Sequence, residues 1–288
     1  MTSSPTLRRR RLARHLRELR ESQGYTAEDV AAEAKRLTGK PRGWSVSKLV
    51  RLEKAEWKRL RLDDVRVLLD IYQVTSEEER EAYLTLTAES NQRGWWTTFG
   101  DALGSGQFVG LETEATSIRT YQSMVVPGLL QTEEYARAMI AARGIIDQSD
   151  ITRRVEARMF RKNVFLRSNP PTLWAIIDEA ALLRIPSGLS SQLEHLLEAS
   201  ERGNIGIQVM PLARGLHAAM TGQLVIMDFA PPEPPVVYLE VMSEELYLEK
   251  PEQITHYQHI YDHAQAEALS VIESRECIRA ILTSRKDN

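Results

Sequence analysis

Apolar residues recur at helical spacing in five stretches of the first 90 residues. In the first stretch Leu12, Leu16 and Leu19 form an i, i+4, i+7 stripe, which is typical of an amphipathic helix that packs on a core. Thr26 with Asp29, and Thr75 with Glu78, are spaced as capping boxes at the starts of the second and fifth stretches. The five predicted helices cover residues 7–22, 26–38, 45–53, 62–72 and 75–90.

The pattern changes from residue 108 onward, where short alternating or continuous apolar runs predict strands between amphipathic helices. The predicted strands cover 118–126, 172–177, 205–210, 223–229 and 236–241, and the predicted helices 112–117, 132–143, 150–167, 189–202, 251–266 and 269–284. The echo of Tyr238-Leu239-Glu240 in Tyr247-Leu248-Glu249 indicates neighbouring strands. The chain is therefore predicted to be multi-domain, with an all-α five-helix head over 1–90 and a mixed α/β (α+β) domain over 108–288.

Residues 91–107 form a glycine-rich, polar segment that we interpret as a linker. It also contains Trp95, Trp96 and Phe99. These rings could anchor the linker on the second domain or stack on bases. Because Arg93 is the one basic residue among them, the pattern favours anchors.

Charge is distributed unevenly, although the net charge of the 288 residues is only −3. Residues 1–61 contain 17 Lys or Arg against 7 Asp or Glu, and the remainder contains 20 against 33. A basic head on an acidic body concentrates at one end the field that attracts phosphate. This distribution indicates a nucleic-acid-binding head.

The third predicted helix carries the candidate contacts to DNA. Leu49 and Leu52 lie on its inner side, and small hydroxyl and long cationic side chains lie on the outer side. Arginine and lysine donate to guanine O6 and N7, and serine bonds to several base edges. We therefore predict base contacts from Ser47, Lys48 and Arg51.

Other polar residues around this helix and the preceding turn are predicted to contact phosphates, which position the protein without reading sequence. These residues are Thr26, Lys40, Arg42, Ser45, Lys54, Lys58 and Arg59. A single short helix reads few bases, so a homodimer on double-stranded DNA with a near-palindromic site is expected. Arg8 to Arg11 form either a solvated, frayed terminus or an arm that reaches a neighbouring phosphate or minor groove.

The run SVSKLVRLE followed by LDDVRVLLDIYQV resembles the XRE (Cro/repressor-type) helix-turn-helix family over roughly residues 10–75. The loop before the third helix is several residues longer than the usual turn, and Ala27 stands where such proteins often carry glutamine. The resemblance implies a sequence-specific DNA-binding transcriptional regulator.

The second region is similar to the C-terminal domain of actinobacterial XRE regulators of the WhiJ-like group, most clearly in VVPGLLQTEEYAR and LWAIIDEAALL. The resemblance implies a small separate partner protein and antitoxin-like behaviour. A sensor of a small molecule, bound in a pocket lined by apolar residues of the sheet, is the alternative input.

Motifs of common enzymes are missing from the sequence, including the phosphate loop GxxxxGK[ST], GxSxG and HExxH. We therefore predict no enzyme activity and no cofactor, and keep a DNA-tethered enzyme as a less favoured hypothesis. His256, His259 and His263 share one helical face and could ligate a metal. A polar stripe is the favoured interpretation, so no metal is predicted. His217 lies in a loop where it could contact a ligand.

The expected location is cytoplasmic, and nucleoid-associated when the protein is bound to DNA. Cys277 is the single cysteine, which excludes an intrachain disulfide and fits a reducing compartment. No signal-peptide pattern follows the N-terminal arginines, and no apolar run approaches the roughly 20 residues of a transmembrane helix. We expect no association with membranes.

Overall fold

A computed structural model describes residues 4–40, 42–57, 59–241 and 244–286 and divides the chain into two compact units, Met1–Thr97 and Thr98–Asn288. The first unit is helical, and the second combines a six-stranded sheet with helices. The predicted fold class is confirmed. The border between the units falls within the segment that we interpreted as a linker.

Five α-helices build the described part of the first unit, as the periodicity predicts. They pack around one apolar core, in which Leu12, Leu16, Leu49 and Leu52 are almost fully buried. The helices are α1 (Pro5–Ser22), α2 (Ala27–Thr38), α3 (Val46–Glu53), α4 (Leu62–Ile71) and α5 (Glu77–Ser90).

Local capping explains where these helices begin and end. Thr26 and Asp29 form the predicted capping box at the start of α2, and Gly39 ends that helix with a φ of 61°, a conformation that glycine adopts without steric cost. The predicted cap of α5 is wrong by one residue. Ser76, rather than Thr75, is the N-cap, because its hydroxyl accepts the hydrogen bond from the Glu79 amide.

The second unit is built on a sheet with the strand order β3-β2-β1-β4-β5-β6. The strands β1 to β3 run parallel to one another, and β4, β5 and β6 each run antiparallel to the preceding neighbour in the sheet. Tyr238 and Tyr247 are directly opposite each other in β5 and β6, so the repeated Tyr-Leu motif does mark neighbouring strands. The strands are β1 (Ser117–Gln122), β2 (Thr172–Asp178), β3 (Ile205–Met210), β4 (Leu224–Asp228), β5 (Val236–Val241) and β6 (Glu244–Leu248).

Helices cover the sheet and protect one of its edges. The helix α12 packs along β3, where the Ser274 hydroxyl accepts a hydrogen bond from the Val209 amide at 2.8 Å. The helices of this unit are α6 (Gln107–Glu114), α7 (Glu133–Ala142), α8 (Gln148–Arg161), α9 (Glu179–Leu183), α10 (Ser191–Ala199), α11 (Pro251–Glu267) and α12 (Val271–Lys286).

The predicted boundaries in the second unit differ most from the structure at three positions. The helix α6 begins five residues before the predicted start at Glu112, after Gly106 in a left-handed conformation. The strand β1 ends at Gln122 and not at Val126, because its antiparallel partner β4 begins opposite Tyr121. The helix α8 ends at Arg161, beyond which the chain continues as a 3₁₀ turn.

The aromatic residues near the border form a 3₁₀ turn, Trp95–Phe99. Phe99 packs on Phe160 of α8 with 5.7 Å between ring centroids, and its carbonyl oxygen accepts a hydrogen bond from Arg153 at 2.6 Å. Phe99 is thus an anchor within the second unit, whereas Trp95 and Trp96 lie in the first unit and contact each other edge to face.

Candidate nucleic-acid interface

The helix α3 presents two different faces because apolar and polar residues alternate at helical spacing along it. Leu49 and Leu52 are buried in the core, whereas Ser47 and Arg51 are exposed on the other side. Ser45 caps the helix, since its hydroxyl accepts a hydrogen bond from the Lys48 amide at 3.1 Å. Thus Ser45 starts the helix in the register that turns Ser47 and Arg51 outward.

An ion pair fixes the end of α3 to α1. The Arg20 guanidinium donates two hydrogen bonds to the Glu53 carboxylate, at 2.6 and 2.9 Å, and a third to the Tyr25 carbonyl oxygen at 2.7 Å. Both side chains are largely buried, and the hydrogen bond to Glu53 raises the pKa of Arg20. The pairing holds α3 firmly against the rest of the first unit.

Lys48 lies at the start of α3 and its ammonium group is already engaged. The Nζ atom donates to the Asp64 carboxylate and to the Gly43 carbonyl oxygen, both at 3.0 Å, and lies 4.1 Å from the ring centroid of Trp44. The sequence pattern gave no sign of these contacts. A base contact from Lys48, which stays a prediction, requires that the ammonium group leave Asp64 or share it.

Arg51 differs from Lys48 in this respect. Its side chain is exposed, and within the described ranges it forms no ion pair and no side-chain hydrogen bond. Ser47 precedes it by four residues and therefore lies beside it on the same helical face. Together these two residues give α3 an open polar face, which a short helix needs in order to read bases.

The predicted phosphate contacts surround this surface. All those that the structure describes are exposed, namely Thr26, Lys40, Arg42, Ser45, Lys54 and Arg59. Lys58 lies outside the described residues. Their exposure is compatible with contact to a ligand as large as DNA, and the contacts themselves stay predictions.

The start of α2 is less open to phosphate than the other positions. The Asp29 carboxylate accepts hydrogen bonds from the Thr26 amide at 2.9 Å and from the Thr26 hydroxyl at 2.6 Å. These bonds lower the pKa of Asp29, the hydroxyl bond most strongly. A phosphate at this helix start must therefore approach the remaining amides beside a negative charge.

The structure contradicts both interpretations of the N-terminal arginine run, the frayed terminus and the free arm. Arg8 pairs with Glu89 at 3.3 Å and donates to the Gln92 side chain, and Arg9 donates to the Ser90 carbonyl oxygen at 2.8 Å. They belong to α1, which Ser4 caps. Arg8 and Arg9 thus join α1 to the end of α5 and form neither a frayed terminus nor a free arm.

The histidines singled out by the sequence occupy two different settings. His256, His259 and His263 are exposed on α11, and the described residues contain no group of three or more side chains placed to hold a metal ion. His217 is buried beside β1 and β2, 3.4 Å from the Tyr121 hydroxyl and 3.9 Å from the Asp178 carboxylate. Burial, followed by the charge of Asp178, raises the pKa of Tyr121. Sequence spacing could not reveal this cluster, because its members are far apart in the chain.

Comparison with known proteins identifies two regions. Residues 105–280 match a family described as a domain of unknown function (DUF5753), and residues 11–83 match a helix-turn-helix domain. No curated protein and no solved structure matches the chain. Among the described residues, no helix combines the length and the apolar character needed to cross a lipid bilayer. The helix-turn-helix match covers most of α1, all of α2 to α4 and the first half of α5, and it supports a DNA-binding regulator.

Proposed function

We propose, given that this chain belongs to the DUF5753 family and carries a helix-turn-helix domain ahead of that region, that it is an XRE-type transcriptional regulator that binds specific DNA sequences. The observation that supports this most strongly is the exposed face of α3, with Ser47 and Arg51 on a helix that Leu49, Leu52 and Glu53 hold in place. A rigid helix with an open cationic face fits the major groove.

In this proposal Arg51 and Ser47 read bases directly. Lys48 contributes at the edge of the same surface, where its bond to Asp64 sets its position before DNA arrives. The exposed residues around α3 contact the backbone and set the register of the helix in the groove. They are Thr26, Lys40, Arg42, Ser45, Lys54, Lys58 and Arg59.

The active form in this proposal is a homodimer. One short helix covers only a few base pairs, so two copies on a near-palindromic site are needed for useful specificity. Half-site centres are then about one helical turn apart, roughly 34–36 Å, or a multiple of that distance. A footprint with twofold symmetry is the expected outcome on the natural site.

In this proposal the second unit receives the signal that controls DNA binding, and its role is sensing rather than catalysis. It binds either a small molecule or a small partner protein. The partner alternative makes the chain an antitoxin-like regulator. It is favoured by the outer edge of the sheet, where β6 exposes Glu244 and Glu245 and, among the described residues, pairs with no strand besides β5. Purification from the native host separates the two, since a stoichiometric small protein supports the partner and a bound metabolite supports the small molecule.

Selection of binding sites from random duplex DNA tests the DNA-binding proposal directly. The full chain is incubated with the pool at about 0.15 M salt, where weak backbone binding is reduced. We expect a recurring motif with two related half-sites. A pool that shows no enriched motif, whatever the salt concentration, contradicts the proposal.

A further inference from the structure

Lys48 is held in place by three groups from two parts of the first unit. Its Nζ atom lies 3.0 Å from the Asp64 carboxylate of α4, 3.0 Å from the Gly43 carbonyl oxygen and 4.1 Å from the centroid of the Trp44 ring. Trp44 is itself buried in the helical core. The ammonium group is therefore fixed by the loop before α3 and by the start of α4, and not by α3 alone.

One N–H group of this ammonium is left for a ligand. An ammonium group has three donors, and the Asp64 carboxylate and the Gly43 carbonyl oxygen each accept one of them. No further acceptor of Lys48 lies in the described part of the chain. The pair reaches the surface, since the side chains of Lys48 and Asp64 retain 26% and 21% of their exposure. The remaining donor thus has a fixed position and a carboxylate beside it.

The Asp64 carboxylate makes this donor selective for the charge of its acceptor. Two acceptors on one tetrahedral ammonium group lie about 5 Å apart, a separation well within the Debye length of roughly 8 Å at physiological salt. A phosphate oxygen that bonds to Lys48 is therefore repelled by Asp64. The uncharged O6 and N7 atoms of guanine are not repelled in this way, and lysine donates to both.

The neighbouring cations of α3 lack this arrangement. Arg51 and Lys54 are exposed, and among the described residues neither pairs with a carboxylate. A phosphate that bonds to either of them meets no such repulsion. Lys48 thus differs from these neighbours in the chemistry of the acceptor that it favours, and not only in its position on the helix.

We propose that Asp64 is a positioning residue that determines specificity: it keeps Lys48 from phosphates and directs the remaining N–H group of Lys48 to a guanine in the major groove. Asp64 acts through Lys48 and needs no contact with DNA of its own. The inference rests on the proposed DNA-binding function and deepens it, because it names the base that one side chain selects. The parent chain tests the function, and variants of the pair test this inference.

The experiment is selection of binding sites by the full chain and by two variants, Asp64→Asn and Lys48→Gln, followed by titration of the selected and scrambled duplexes at several salt concentrations. Both variants should lose the preference for guanine at the same position of each half-site. They should differ on the scrambled duplex. Asp64→Asn releases the ammonium group to a phosphate, so its affinity there should rise about threefold or more, with the salt slope steeper by about 0.9. Lys48→Gln should show no such rise.

Asp63→Asn is the matched control, because it removes a neighbouring carboxylate of α4 that pairs with Arg66 at 3.0 Å and not with Lys48. It changes the net charge by the same amount and should leave the guanine preference intact. Lower affinity of Asp64→Asn for both duplexes indicates a structural role and overturns the proposal. A guanine preference that persists in Asp64→Asn or in Lys48→Gln overturns it as well, whereas a parent chain that selects no motif overturns the proposed function and this inference with it.

Discussion

At the scale of single residues, two contacts prepare α3 for its proposed role. Glu53 is bonded to Arg20, and Lys48 is bonded to Asp64, so charged residues at both ends of a short helix have fixed partners. Arg51 lies between them with an exposed side chain. Rigid placement of one free cation favours specific reading, because less conformational freedom is lost on binding.

Replacement of Glu53 by Gln tests the first contact. The substitution leaves the largely buried Arg20 without its carboxylate, and we expect the first unit to lose about 1.5–3 kcal/mol of stability, the usual value of hydrogen bonds to charged groups. Hydrogen exchange of the α1 and α3 amides measures this loss. Glu33→Gln is the control, since Glu33 pairs with Arg36 on the surface of α2 and should change stability by under about 1 kcal/mol. Equal effects of both variants contradict the assigned role of Glu53.

At the scale of elements, the first unit could be predicted well from the sequence and the second only in part. The 3.6-residue periodicity defines the helices of the first unit locally, and side-chain caps mark the starts of α1, α2, α3 and α5. The order of the sheet, with β4 beside β1, depends on contacts between residues about 110 positions apart. The bonds of Arg8 and Arg9 to the end of α5 also join distant parts of the chain, 84 and 81 positions apart. Periodicity carries no information on such pairs.

The capping box of α2 gives a prediction about pH. The folded state lowers the pKa of Asp29, so the charged cap stabilises α2 fully above the ordinary carboxyl pKa of about 3.9, and this stabilisation is lost as the pH falls through the lower folded value. We expect the carboxyl carbon resonance of Asp29 to titrate below the ordinary value. Thr26→Ala should move the midpoint upward. A midpoint at or above the ordinary value in the parent protein would falsify the capping geometry.

The edge of β3 that α12 covers gives a prediction about stability. Ser274→Ala removes the acceptor of the buried Val209 amide, and an unsatisfied buried donor costs about 1–3 kcal/mol. Urea denaturation of the full chain, followed by hydrogen exchange at β3, should show this loss. Thr283→Ala, on the exposed side of α12, should stay within about 0.5 kcal/mol. If the two variants are equally stable, Ser274 does not protect the edge.

At the scale of the whole molecule, two units with different chemistry share one chain. The helical unit presents a cationic surface around α3, and the sheet unit exposes the acidic residues Glu244 and Glu245 on its outer strand β6. The charge asymmetry of the sequence already indicated this difference in charge between the units.

Arg51 is the residue on which the proposed reading of DNA depends most. The affinity of Arg51→Ala for DNA tests this dependence most directly. The full chain, Arg51→Ala and Arg66→Ala are titrated against the selected site and a scrambled duplex. Arg66 is a matched control because it is an exposed arginine of α4, two residues beyond Asp64 and hence on the other side of that helix. Arg51→Ala should lose about 1–3 kcal/mol of affinity for the selected site, with little change on the scrambled duplex. If Arg51→Ala binds both duplexes as the parent and Arg66→Ala do, α3 is not the surface that reads DNA.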